Sequence, residues 1–162
     1  MSLYSRAIRA FVLAAPVMAA ACRSQPVVAN LNDSEIVATV QAILDRTAAA
    51  ADAADAEGVL SASTKDDTFT FITDDVMLTG YDEALAAFRT TYALLQKQRT
   101  QIIEKRIRVL SPDVVLVSAV SEGTYTDKAG FTSPPVGLGS TAVFVRRNGD
   151  WRVIHFHQSV AE

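Results

Sequence analysis

Residues Val145 to Ser159 read VRRNGDWRVIHFHQS. Asn148-Gly149 is the dipeptide that two-residue hairpins favour, because both central positions of a type I′ turn need a positive φ. The β-branched and aromatic residues on either side therefore predict two strands paired antiparallel. Side chains alternate along a strand, so Trp151, Val153, His155, His157 and Ser159 fall on one face. Arg152, Ile154, Phe156, Gln158 and Val160 fall on the other, unless a β-bulge shifts the register. Both histidines of the 162-residue chain lie in this one strand, two positions apart.

Upstream of the hairpin, everything after residue 98 is strand-like. QIIEKRIRVL, DVVLVSAVSEGTYTD and VGLGSTAVFVRR are β-branched runs, with KAGF as a turn between the second and third. Earlier still the pattern is helical. Asp33 or Ser34 caps a helix in which Ile36, Val40, Ile43, Leu44 and Thr47 recur on one face. The alanine-rich stretch that follows prolongs or restarts it, with Asp55 as a second cap for a short piece ending near Leu60. DDTFTFITDD, from Asp66 to Asp75, is a short strand bounded by acids, and VMLTG is a second one. A third helix is expected from about Tyr81 to Lys97, with Ala84, Leu85, Phe88, Tyr92 and Leu95 as its apolar stripe and Arg89 either reaching into the mouth of the fold or, as is usual, paired to Asp82 or Glu83. Helices first and a meander of strands second make an α+β domain: a curved antiparallel sheet with one face covered by the N-terminal helices.

The first 21 residues read differently. Arg6 and Arg9 precede the apolar run AFVLAAPVMAAA, and small residues lead to Cys22, the sole cysteine. That run is too short for a permanent membrane span. The AAAC ending resembles the lipobox of bacterial lipoproteins, with Ala19 where leucine is usual, and plain secretory cleavage near Ala20 or Ala21 is the competing reading. The expected organisation is a signal peptide over 1–21, a lipidated Cys22 with a tether over 22–32, and one domain over 33–162, exported to the bacterial cell envelope. A single cysteine excludes an internal disulfide, so the core alone must hold the fold. Removing 1–21 takes two of the 15 basic residues and none of the 18 acids, moving the net charge from −3 to −5. An acidic domain argues against nucleic acid as a partner. Membrane contact is then expected only through acyl chains on Cys22.

DDTFTFITDDVMLTGYDEALAAFR and the terminal VRRNGDWRVIHFHQS, in that order, resemble the nuclear transport factor 2-like superfamily and its SnoaL-like branch over about residues 33 to 160. The tail is most similar to the association domain of calcium/calmodulin-dependent protein kinase II. The resemblance implies a cone of cystatin-like type: a bent sheet wrapped around a long helix, a pocket at the open end, and homodimers formed through the outer sheet face. Members include isomerases, cyclases, dehydratases, hydrolases and oligomerisation domains, so the fold does not give the function.

His155 and His157 could share a zinc ion, but no further histidine or cysteine is available to complete a ligand set, and no metal or cofactor is expected. The association domain carries arginines that bind small carboxylates, and its similarity places those positions at Ala142 and Gln158, neither of them basic. The pocket so implied is apolar, with Phe144, Phe156 and Ile154 on its wall and Phe71 and Tyr92 as further candidate ligand contacts. The steroid isomerase branch suggests instead a buried carboxylate as base with a tyrosine beside it. Asp74 and Glu122, with His155 and His157 assisting, are the catalytic candidates, although Asp74 and Asp75 fall in a turn. Lys105, Arg106, Arg108, Arg146 and Arg147 are expected on solvated rims. The leading expectation is a domain that binds a small, mostly apolar molecule or associates with itself. A small cofactor-independent isomerase, dehydratase or hydrolase is the alternative.

Overall fold

The computed structural model describes residues 33–161; the expected export segment, Cys22 and the tether lie outside the described residues. The elements run α1 (Asp33–Asp52), α2 (Ala56–Val59), β1 (Thr70–Thr73), β2 (Val76–Thr79), α3 (Tyr81–Tyr92), β3 (Leu95–Ser111), β4 (Val114–Asp127), β5 (Val136–Arg147) and β6 (Asp150–Val160). The helical spacing seen in the sequence is used as expected, for α1 turns Ile36, Val40 and Ile43 into the core. Asp55 caps α2, its Oδ1 accepting from the Gly58 amide at 3.0 Å.

Two local expectations fail at α3. Arg89 pairs with Glu57 of α2, not within its own helix. Glu83 is engaged elsewhere, accepting from the Thr79 amide at 2.7 Å and so tying the end of β2 to the first turn of α3. The helix also stops at Tyr92 and does not reach Lys97. Thr90, Thr91 and Tyr92 are weak helix formers, and the chain from Leu95 is claimed by pairing with β4, starting opposite Asp127.

The strands form one sheet in the order β2-β1-β6-β5-β4-β3. It is antiparallel except for β1, which lies parallel to β6. Arg147 opposes Asp150 across the final hairpin, with Asn148 at φ 53° and Gly149 at φ 89°, the pair of positive values that a type I′ turn requires. Register shifts interrupt β3 at Leu95/Lys97, Ile102/Glu104 and Val109/Ser111, and interrupt the β5–β6 pairing at Val143/Phe144. Bulges bend a strand and increase its twist, which curls the sheet over the helices.

The bulge in β6 also corrects the parity of that strand. Val143 faces His155 while Phe144 faces Val153, leaving Ile154 as the extra residue. Trp151 and Val153 therefore share the concave side with Phe156 and Gln158, and Ile154 does not line the hollow as expected. At one end of the curl α1 closes on the sheet: Ile36, Val40 and Ile43 pack with Val115, Val117, Ala142, Phe144 and Trp151. Leu60, Phe69, Phe71 and Ala84 form a second cluster under α2 and α3.

Candidate functional site

The concave face is built of lateral rows, read directly from the strand register. Val109, Val115, Phe144 and Val153 make the first row and Ile107, Val117, Ala142, Phe156 and Phe71 the second. The third row is Lys105, Ala119, Ser140 and Gln158, and the fourth begins Ile102, Ser121 and Leu138. Large apolar side chains fill the first two rows. In the third and fourth rows the middle strands contribute the small residues Ala119, Ser121 and Ser140, and the second half of α1 faces them with Thr47, Ala48 and Ala51. Small groups on both sides do not meet, and a cavity of about 230 Å³ remains between them.

Six aromatic rings line this cavity, and four of them contact one another. Phe71 and Phe156 stack with centroids 5.6 Å apart and planes 4° from parallel. Phe88 meets Phe71 edge-on at 5.1 Å, and Tyr92 meets Phe88 at 5.5 Å. Beyond Tyr92 and Gln98 a second, more open hollow of about 440 Å³ is lined by Thr73, Leu78, Thr91, Arg99 and Tyr125. Gln98 Nε2 donates to the Tyr92 hydroxyl at 3.3 Å where the two hollows share a wall. Burial pushes the Tyr92 phenol above its usual range; the Gln98 hydrogen bond opposes this, and the charges of Asp52 and Asp55 add to it. Tyr92 is thus a neutral hydrogen-bonding group at ordinary pH.

The structure brings Phe71, Tyr92, Ala142, Phe144, Phe156 and Gln158 together around the one cavity. It does not bring the four catalytic candidates there. His155 and His157 project from the convex side, His155 Nδ1 lying 2.7 Å from the Thr70 hydroxyl and His157 exposed. Glu122 is exposed on the same outer side. Asp74 occupies the β1–β2 turn at φ 50°, and its carboxylate accepts from the Val160 amide at 3.0 Å. That bond fastens the end of β6 to the turn. Among the described residues no three histidine, cysteine or acidic side chains cluster as metal ligands would.

Lys105, expected on a solvated rim, lines the hollow instead. Thr100 and Ile102 face the hollow, and the shift at Ile102/Glu104 then brings Lys105, Ile107 and Val109 to the same side. The signal was present in the sequence: the apolar residues of QIIEKRIRVL change parity across Ile102-Ile103. Lys105 is half-buried and is the charged side chain in the inner lining.

Solved structures of low sequence identity share this architecture. A nuclear transport factor 2-like superfamily protein from Salmonella enterica serovar Typhimurium superposes with a TM-score of 0.72 at 18% identity, covering 80% of this chain and 94% of that one. A ketosteroid isomerase-like protein from Erwinia carotovora atroseptica gives 0.67 at 21% identity, over 79% and 98%. An uncharacterized protein with a cystatin-like fold from Caulobacter vibrioides gives 0.67 at 18%, over 79% and 91%. At these identities the likeness is one of fold. No curated protein matches the chain. The family model described as a SnoaL-like domain, however, matches residues 40–162, which span the later part of α1, the whole sheet and every cavity-lining residue named above, and the chain therefore belongs to the SnoaL-like domain family.

Proposed function

We propose that this domain binds a small, mostly apolar molecule in the hollow between α1 and the concave sheet. The supporting observation is the lining itself, in which Phe69, Phe71, Phe88, Phe144 and Phe156 surround unfilled space and no carboxylate or imidazole takes part. Apolar surface brought into such a site gains about 25 cal/mol per Å². The isomerase alternative needs an acid of raised pKa inside the hollow. Asp74 and Glu122 stand outside it, so the binding reading is the better supported.

Native mass spectrometry of the purified protein, followed by titration with neutral 3-phenylpropan-1-ol, tests this. A retained small-molecule adduct, or saturable uptake of one alcohol per chain, is expected. A folded protein that carries no adduct and takes up no alcohol at millimolar concentration overturns the reading.

Two further parts of the reading concern the setting of the domain. The AAAC sequence supports export with acylation at Cys22, and Cys22→Ala is expected to abolish labelling by a palmitate analogue and retention in the membrane fraction. Unchanged retention would count against it. On the convex face Met77 and Val120 are 63% and 50% exposed, which supports self-association through that face. Sedimentation at twice the monomer mass is expected, and a strict monomer at high concentration would contradict it.

A further inference from the structure

We propose that the molecule held in the cone is an amphipathic carboxylic acid, a single aromatic ring on a short acidic chain, whose carboxylate lies on Lys105 and the Ser140 hydroxyl. The inference rests on the hollow being a binding site for an apolar molecule, and adds the polar end of that molecule.

The third row carries the argument. Lys105, Ala119, Ser140 and Gln158 stand side by side on four neighbouring strands, and all line the inner cavity. Ala119, between the lysine and the serine, has no side chain beyond Cβ to keep the lysine stem from crossing toward Ser140. Neighbouring strands are about 4.8 Å apart, so Lys105 and Ser140 stand about 9.6 Å apart across β4, and a lysine extended over Ala119 leaves a gap to Ser140 that a carboxylate bridges. Ser121 adds a hydroxyl from the next row of β4.

Each of these polar groups is in a state that invites a ligand. Among the described residues the Lys105 side chain makes no ion pair or hydrogen bond, since the four ion pairs join Arg89 to Glu57, Arg106 to Glu104, Arg147 to Asp66 and Arg152 to Asp150. The side chains of Ser121, Ser140 and Gln158 likewise have no protein partner, yet no buried side-chain nitrogen or oxygen is sealed off without one. Their polar atoms are therefore accessible, on residues that line the cavity. One cation and several neutral donors, against no acid in the lining, form a site selective for a single negative charge. A cation left at an apolar surface without a counter-charge is unfavourable, and a bound anion relieves this.

Size and shape settle the remainder. A cavity of roughly 150 Å³ holds a benzene molecule, and the hollow here is about 230 Å³. The added space accommodates a short side chain that carries a polar end to the row of Lys105 and Ser140. Phe71 and Phe156, stacked face to face, and Phe88, set edge-on, offer a wall to which a flat ring docks favourably. Phe156 on the second row and Gln158 on the third place that wall directly beside the polar row.

The test compares 3-phenylpropionate with 3-phenylpropan-1-ol at pH 7 by titration calorimetry, on the wild-type protein, Lys105→Met and Lys105→Arg. A net charge-assisted hydrogen bond is equivalent to about tenfold or more in affinity, so the acid is expected to bind about tenfold tighter than the alcohol. Lys105→Met is expected to remove that preference, so that the acid binds no tighter than the alcohol, and Lys105→Arg to keep it. Added salt should weaken only the acid. Equal binding of acid and alcohol by the wild type, or a preference that survives Lys105→Met, overturns the role of Lys105 and leaves the apolar site standing. Binding of neither compound overturns the apolar site and this inference together.

Discussion

The two ends of the concave face are made from the same helix and the same strands, yet one is solid and the other hollow. At the solid end Ile36, Val40 and Ile43 of α1 meet Val115, Val117, Phe144 and Trp151, with Val40 and Val115 wholly buried. At the hollow end the continuation of α1 presents Thr47, Ala48 and Ala51 to Ala119, Ser121 and Ser140. Interiors pack to a density that excludes voids wherever side chains can reach each other. The cavity follows from a choice of small residues on both partners, with no change of backbone architecture. The alanine run of α1, which strong helix propensity alone would explain, thus has a second consequence, for it sets the height of the roof above the third row.

The largest test of this contrast is to delete one ring from the first row, where the cavity wall is continuous with the packed core. Phe144 is 1% exposed, and Phe144→Ala is expected to cost about 3–5 kcal/mol in chemical denaturation, the range for a well-packed phenylalanine. Phe156→Ala, one row nearer the hollow, removes the same atoms from a half-buried position. Its cost is expected to be about half as large. Equal costs would mean that the hollow end is packed as tightly as the other, and would dissolve the distinction.

A complementary pair adds volume in place of removing it. Ala119→Leu extends a side chain into the cavity and is expected to change stability by less than about 1 kcal/mol while abolishing uptake of 3-phenylpropan-1-ol. Ala142→Leu, one row toward the solid end and 4% exposed, is expected to cost about 1–3 kcal/mol through overpacking. Calorimetric melting of the two variants, with alcohol titration of each, separates filling a void from forcing a filled space.

Much of this fold was legible because it is written in local patterns. The α1 face, the Asp55 cap, the Asn148-Gly149 hairpin and the four long strands each follow from spacing or turn chemistry within a dozen residues. The order of helices and strands then led to the SnoaL-like family. The failures share one cause. Ile154, Lys105 and the end of α3 are each decided by pairing with a distant strand: β5 for the bulge in β6, and β4 both for the shift in β3 and for the start of β3 at Leu95. A bulge reverses the side of every following residue, so one unseen insertion moved Lys105 from rim to lining. The candidate contacts Phe71, Ala142, Phe144, Phe156 and Gln158 line the cavity because alternation holds locally in the strand segments that carry them, and Tyr92 because the apolar stripe of α3 runs to its last residue. The acids and histidines drew notice as chemical types, and their spacing could not show that the sheet turns them outward.

The smallest expected effect concerns how the two ends are fastened. Asp74 fastens β6 to the β1–β2 turn at the open end through the Val160 amide. At the solid end Asp66 plays the matching part, accepting from the Thr68 hydroxyl and amide and pairing with Arg147 at 3.3 Å. The Thr68 hydroxyl above all, helped by its amide and by the Arg147 guanidinium, holds the Asp66 carboxyl below the usual carboxylate range against a smaller opposing effect of desolvation. A carboxyl more acidic in the folded than in the unfolded chain, where its pKa is about 3.9, stabilises the fold above that value. The contribution is lost as pH falls through the folded value. Asp66→Asn is therefore expected to lower the urea midpoint slightly at pH 7, with the gap to wild type closing as pH falls below about 4. Because Asp66 is solvent-exposed, the effect should shrink further in high salt. A gap that stays constant from neutral pH to pH 3 would mean that the contact acts through its neutral hydrogen bonds, and that charge has no part in closing the solid end.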